Sequence, residues 1–244
     1  MYVSVDTLPE LTPEYQQAQQ QAVHDAKVVY QFEVVKVPPT DYGAIIIWIA
    51  TAGLIVWIGS QLGWVGTIVF SLFVFAISSY FYYAGNPDVK QTVTLTEKGM
   101  IVSDLQLVPD ACFAALRYSG YVGIAISVVG VVLVGPMMFI GAGAGLLMSF
   151  KMAGVENRPK TRVRPFHPDI EYVMADNLCT KFKNDLTLRR VVPRIELEND
   201  GGIKDELFSR NKEFYFLTYA STEQQQDEIM GHLKKFINVE KGDY

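Results

Sequence analysis

Hydrophobic residues follow three different rhythms along this chain. Tyr42–Pro87 and Tyr118–Phe150, 46 and 33 residues long, contain no Asp, Glu, Lys or Arg. Val28–Val37 and Gln91–Thr96 alternate residue by residue. Ile229, Met230, Leu233, Phe236 and Ile237 fall at i, i+1, i+4, i+7 and i+8. The first rhythm predicts membrane helices, the second half-buried strands, the third an amphipathic helix. The first weighs most, because a charge near the bilayer centre costs several kcal/mol and long uncharged runs are rare outside membranes.

The first uncharged stretch divides at Ser60-Gln61, giving spans over Gly43–Gly59 and Leu62–Tyr83. Each is near the roughly 20 residues needed to cross about 30 Å of hydrocarbon. Trp48, Trp57, Trp64 and Tyr80–Tyr83 supply interfacial anchors. The second stretch is too long for one upright helix and too short for two full spans. Gly135-Pro136 breaks it into halves of about 15 residues, roughly 22 Å each at ~1.5 Å per residue. That predicts a re-entrant hairpin, or two short helices that dent the bilayer.

Outside these stretches the pattern is that of a soluble protein. Thr12-Pro13 predicts an N-cap and first turn for a polar, peripheral helix over Glu14–Lys27. Glu97-Lys98-Gly99 turns the strand Gln91–Thr96 into a return strand beginning Met100–Ser103, and Pro109–Leu116 is a short helix or strand. Further strands are expected over Asp169–Met174, in two runs of Leu186–Leu197 around Pro193, and over Glu213–Tyr219, with a turn at Asn199–Gly202. Ser221 or Thr222 caps the last helix, with Gln224 or Gln225 at capping-box distance. Phe214, Phe216, Leu233 and Phe236 are the expected soluble core. The fold class is therefore α-helical membrane hairpins plus a soluble α+β domain of antiparallel strands closed by a C-terminal amphipathic helix. The divisions are 1–41 (cytoplasmic helix and strand), 42–87 (transmembrane hairpin), 88–117 (first part of the β domain), 118–150 (re-entrant or short transmembrane hairpin) and 151–244 (soluble α+β domain).

Charge fixes an orientation. Lys151, Arg158, Lys160, Arg162 and Arg164 follow the second stretch, while the turn at Ser60-Gln61 and the bend at Gly135-Pro136 carry no basic residue. Basic flanks stay in the cytoplasm, so each stretch must enter and leave on the same side, and both termini are cytoplasmic. The same five residues either bind anionic lipid headgroups or only fix topology. The net charge of −5 comes mainly from Met1–Asp41, with 2 basic and 6 acidic residues, and gives no footprint for nucleic acid. The polar N-terminus is not that of a secretory signal peptide.

Chemistry is sparse. His24, His167 and His232 are far apart, and Cys112 and Cys179 have no metal-like spacing, so no metal site, disulfide framework or cofactor is expected. The run Gly141–Gly145 has no following Lys-Ser/Thr and is no phosphate loop. Gly141 and Gly145 instead form a small-xxx-small pair for helix packing, within this chain or against a copy or partner. No catalytic constellation stands out.

The hairpin VTLTEKGMIV and the ending STEQQQDEIMGHLKKFI resemble bacterial pleckstrin-homology-like domains of small membrane proteins, over Lys90–Arg117 and Arg162–Asn238. Here a membrane hairpin interrupts the domain, which departs from the usual order. The resemblance implies a scaffold or binding module. The expectation is a non-enzymatic, multi-pass inner-membrane protein of a bacterium. It would act through a membrane-protein partner, as an accessory of a secretion- or conjugation-type machine or an exclusion factor. The alternative is a homo-oligomeric pore or transport subunit.

Overall fold

A computed structural model describes residues 3–4, 8–135, 138–175, 180–196 and 214–242. The chain divides into two compact units. One comprises Met1–Pro39, Val89–Leu105 and Pro159–Tyr244; the other comprises Thr40–Asp88 and Gln106–Arg158.

The first unit is built on two sheets. β1 (Val3–Ser4) lies outside them, paired with β9 (Ile195–Glu196) in a parallel two-stranded ladder. α1 (Pro13–His24) starts where expected: Thr12 Oγ1 accepts from the Tyr15 amide, and Pro13 opens the first turn. The helix is less peripheral than its polarity predicts. Val23 is fully buried, and a Cβ on Gly99 would strike it. One sheet has the order β2 (Val28–Lys36), β3 (Val89–Thr96), β4 (Gly99–Gln106), β5 (Lys160–Pro165). Its alternation is the one in the sequence: Phe32 and Val34, Val93 and Leu95, Met100 and Val102 point inward.

The second sheet runs β10 (Leu217–Ser221), β8 (Thr187–Pro193), β6 (Glu171–Ala175), β11 (Asn238–Gly242), with β7 (Thr180–Lys181) beside β8. Tyr172, Met174, Val191, Leu217 and Tyr219 join the first sheet's apolar face in a single core. Burial of this shared core is the main stabilising term for the unit.

Three expectations need correction here. The strand expected over Glu213–Tyr219 begins only at Leu217. Phe214 and Tyr215 are buried in a turn, and Glu213 lies outside the described residues, as do Cys179 and the turn expected at Asn199–Gly202. The last helix, α6 (Glu223–Leu233), has the predicted capping box between Thr222 and Gln225. It ends at Leu233, however, so Phe236 and Ile237 reach the apolar face from the following turn. Nor does a helix close the chain: β11 follows, pairing parallel with β6. The polar string NVEKG carries only one apolar side chain to mark a strand, so its sheet partner rather than its own pattern holds it extended.

The second unit is helical. α2 (Tyr42–Ser60) and α3 (Gly63–Ala84) form one hairpin, turned at Gly63 with φ +80°. α4 (Asp110–Val134) and α5 (Met138–Ala153) form the other. The short element expected at Pro109–Leu116 is the opening of α4. Nothing between Asp110 and Val134 breaks the helix, and Gly135 ends it with φ +89°. Among the described residues, α2, α3 and α4 are long and apolar enough to cross a membrane.

Candidate functional site

The four strands of the first sheet each adjoin an apolar helix: β2 precedes α2, β3 follows α3, β4 precedes α4 and β5 follows α5. At that end of the sheet the inward-facing row stops being apolar. Lys36 Nζ donates to Asp104 Oδ1 at 2.7 Å, and Gln91 Nε2 donates to the same oxygen at 2.7 Å. Arg162 donates to Asp104 Oδ2. One carboxylate thus gathers a donor from each of the other three strands. Gln91, 1% exposed, also accepts from the Ala220 amide of β10 at 2.7 Å, which ties the second sheet to the same group. Burial works against ionisation of Asp104. Its hydrogen bonds to Lys36, Gln91 and Arg162 outweigh burial and hold the carboxyl below its usual range.

Asp104 and Gln91 are not among the residues expected from the sequence. The available signal was a polar residue on each strand's apolar face: Gln91 in step with Val93 and Leu95, Asp104 in step with Met100 and Val102.

A second polar knot lies under α6. Gln226 Oε1 accepts from Tyr219 Oη and Ser221 Oγ at 3.0 and 3.1 Å. At the surface, Tyr30 Oη donates to Glu228 at 2.6 Å, and that bond, with burial, pushes the phenol up to about 12.

In the helical unit the close approaches are made by glycines. A Cβ on Gly66 would lie 2.5 Å from the Gly59 carbonyl, so α2 and α3 cross there. A Cβ on Gly120 would lie 2.6 Å from the Ala153 nitrogen and 2.7 Å from the Ser149 carbonyl, and one on Gly123 would overlap the Ser149 hydroxyl. Gly145 faces open space, and the surroundings of Gly141 lie outside what is described. Within the hairpin, then, Gly120 and Gly123 allow the contact. Trp48 Nε1 donates to Ser78 Oγ at 3.1 Å across the first hairpin. Several other hydroxyls turn back on their own helices. Thr51, Thr67, Ser79, Ser119, Ser127 and Ser149 each donate to the carbonyl four residues earlier. Such bonding removes the need for water along an otherwise apolar surface.

The five basic residues are not equivalent. Lys151 and Lys160 are exposed. Arg158 pairs with Glu156 at 2.7 Å and Arg162 with Asp104, while Arg164 is half-buried. Of the expected core residues, Phe214 and Leu233 are buried, and Phe216 and Phe236 are half-buried. Phe214 also meets Tyr15 and His167, with ring centroids at 6.5 and 5.9 Å. Among the described residues, no group of three or more His, Cys, Asp or Glu could hold a metal ion.

The model of the TsiV2 immunity protein family matches residues 13–163. That span takes in α1, all four apolar helices, β2 to β4 and most of β5; the second sheet lies beyond it. Immunity protein TsiV2 of Vibrio cholerae serotype O1 (strain ATCC 39315 / El Tor Inaba N16961) is 34% identical over 116 residues. The match covers 46% of this chain and 42% of that relative, so the chain spans less than half of the relative's length. No solved structure matches.

Proposed function

The chain belongs to the TsiV2 immunity protein family, and from that membership we propose that it is a membrane-seated immunity protein that protects its cell by binding a protein toxin. The family match over residues 13–163 carries the reading. It brings the expected protein–protein role into focus as immunity and takes the place of the accessory of a membrane machine. The protein works by contact and catalyses nothing.

Its seat is the bacterial inner membrane. The exposed apolar surfaces of α2, α3 and α4 and the self-satisfied hydroxyls support that location. The strand order supports an even number of crossings. β2 and β3 are neighbours, as are β4 and β5, so each hairpin leaves and rejoins the sheet at the same end. With the basic flanks, this supports a cytoplasmic side for the β unit and both termini. In this reading the β unit, two sheets sharing one core with α6, is the surface that binds the toxin. A toxin stopped by a protein seated this way acts at or across the same membrane.

Survival decides the matter. A strain deleted for this protein is mixed with its toxin-delivering wild-type sibling, with and without the full chain on a plasmid. Loss of survival in the deletion, restored by the plasmid, is expected. Equal survival of the deletion and complemented strains overturns the proposal.

A further inference from the structure

The two hairpins are built to different depths. α2 and α3 have 19 and 22 residues, about 28 and 33 Å at ~1.5 Å per residue. They match a hydrocarbon core of about 30 Å. In the second hairpin the uncharged part of α4 runs from Tyr118 to Val134, about 26 Å, and that of α5 from Met138 to Phe150, about 20 Å. Its polar base is fixed, because Arg117 on α4 donates to the Val155 carbonyl just beyond α5 at 3.2 Å. The uncharged reach therefore begins at the same level on both helices and is shorter than the hydrocarbon core by roughly 5 Å on α4 and roughly 10 Å on α5, although α4 taken from Asp110 is long enough to cross.

The ends of the hairpins differ in the same sense. The first turns through exposed Ser60 and Gln61, flanked by exposed Trp57 and Trp64, the composition of a segment that reaches an interface. In the second, α4 ends at Gly135, the sequence between α4 and α5 has no Trp or Tyr, and Val132 and Leu133 near the end of α4 are 77% and 78% exposed. The Gly135 amide bonds the Val131 carbonyl at 2.9 Å, but the first amides of α5, like those of any helix, lack helical partners. Some carbonyls at the end of α4 still lack helical partners, and such groups are costly in hydrocarbon.

We propose that the second hairpin, α4–α5, holds a locally thinned patch of bilayer, with far-leaflet headgroups drawn inward to its tip. The proposal rests on the membrane seat argued above. Thinning is the response that lets a short segment keep its polar tip solvated, and its cost rises with each ångström of mismatch. Thickness of the lipid is therefore the variable that moves the tip between wet and buried.

The test uses the full chain with Cys112→Ser and Cys179→Ser, carrying Ser60→Cys, Leu133→Cys or Val132→Cys. Each variant is reconstituted in vesicles of short-, medium- or long-chain phosphatidylcholine and treated with a membrane-impermeant maleimide. Labelling near the second tip is read relative to Ser60→Cys, which cancels orientation. The ratio is expected to approach one in short-chain lipid and to fall severalfold in long-chain lipid, at both Leu133→Cys and Val132→Cys. A ratio near one at every thickness means the hairpin crosses fully, and no labelling at any thickness means the tip stays in hydrocarbon; either result overturns the proposal. Failure of the protein to float with the vesicles defeats the membrane seat itself, a separate result from either ratio.

Discussion

The β unit and the helical unit use the same apolar residues in opposite places. Leu95, Leu217 and Leu233 are at the centre of the first, whereas Leu54, Leu72 and Leu133 are on the outside of the second. Polar groups mirror this. In the β unit a buried polar group such as that of Gln91 or Gln226 collects partners from other elements. In the helices most hydroxyls are satisfied by the preceding turn of their own helix. The difference teaches that residue type does not decide inside from outside. What decides is whether the surroundings can satisfy hydrogen bonds, and the two units are built for surroundings of opposite kind.

The largest expected effect tests the polar end of the β unit. Asp104→Ala removes the carboxylate that accepts from the Lys36 side chain, which is mostly buried. Breaking a buried pair from one side costs about 3–5 kcal/mol. Native-state hydrogen exchange of β3 and β4 amides in the full chain should show protection falling by that amount. The pH dependence has a definite sign. A carboxyl held below its usual range stabilises the fold fully above the unfolded value, near ~3.9, and loses that contribution as pH falls through the lowered one. The wild-type protein should lose protection in that acid window, and Asp104→Ala should show less of this loss.

Leu233→Ala probes the apolar interior next to it. Leu233, the last residue of α6, is fully buried, so a cavity costing about 2–5 kcal/mol is expected. Hydrogen exchange of β10 and β11 amides checks it. An unchanged β unit would mean that this face of α6 serves a partner rather than the core.

Much of this contrast could be read in the sequence, for a physical reason. Uncharged runs and alternating strands are local signals, so the hairpins, β2, β3 and the capping box at Thr222 could be placed from residues close in the chain. What escaped depends on distant partners. Asp104 reads as an ordinary strand-end acid until Lys36 and Arg162 arrive from strands far away in sequence. β11 has no pattern of its own and is defined by β6. The packing glycines escaped differently. Gly141 and Gly145 have the familiar spacing, whereas Gly120 and Gly123, which meet Ser149 and Ala153 within the hairpin, do not. Spacing says which glycines share a helix face, whereas contact depends on where the second helix lies.

That distinction gives the third prediction. Gly120→Leu forces a side chain against backbone of α5, which cannot swing aside, so a loss of about 1–3 kcal/mol is expected. Tryptophan fluorescence sees only the first hairpin, since Trp48, Trp57 and Trp64 all lie there. Protease resistance of α4–α5 in detergent is the better readout. Gly145→Leu, at a position open to its surroundings, should leave that resistance unchanged. If Gly145→Leu instead changes the size of the detergent-solubilised particle, its face packs against a copy or a partner.

The smallest effect sharpens the comparison most, because it repeats the substitution used in the core. Leu54 in α2 is 55% exposed, and truncating it leaves lipid or detergent, not a cavity, against the helix. With no hydrophobic drive between apolar helix and apolar tail, Leu54→Ala should cost under about 0.5 kcal/mol in micelles, against several for Leu233→Ala. Tryptophan fluorescence during denaturation suits this measurement, since Trp48 and Trp57 share α2 with Leu54. A loss as large as that of Leu233→Ala would mean that something solid covers Leu54. In that event the first hairpin would be a protein interface, and exposure would not mean lipid contact even at this well-placed residue.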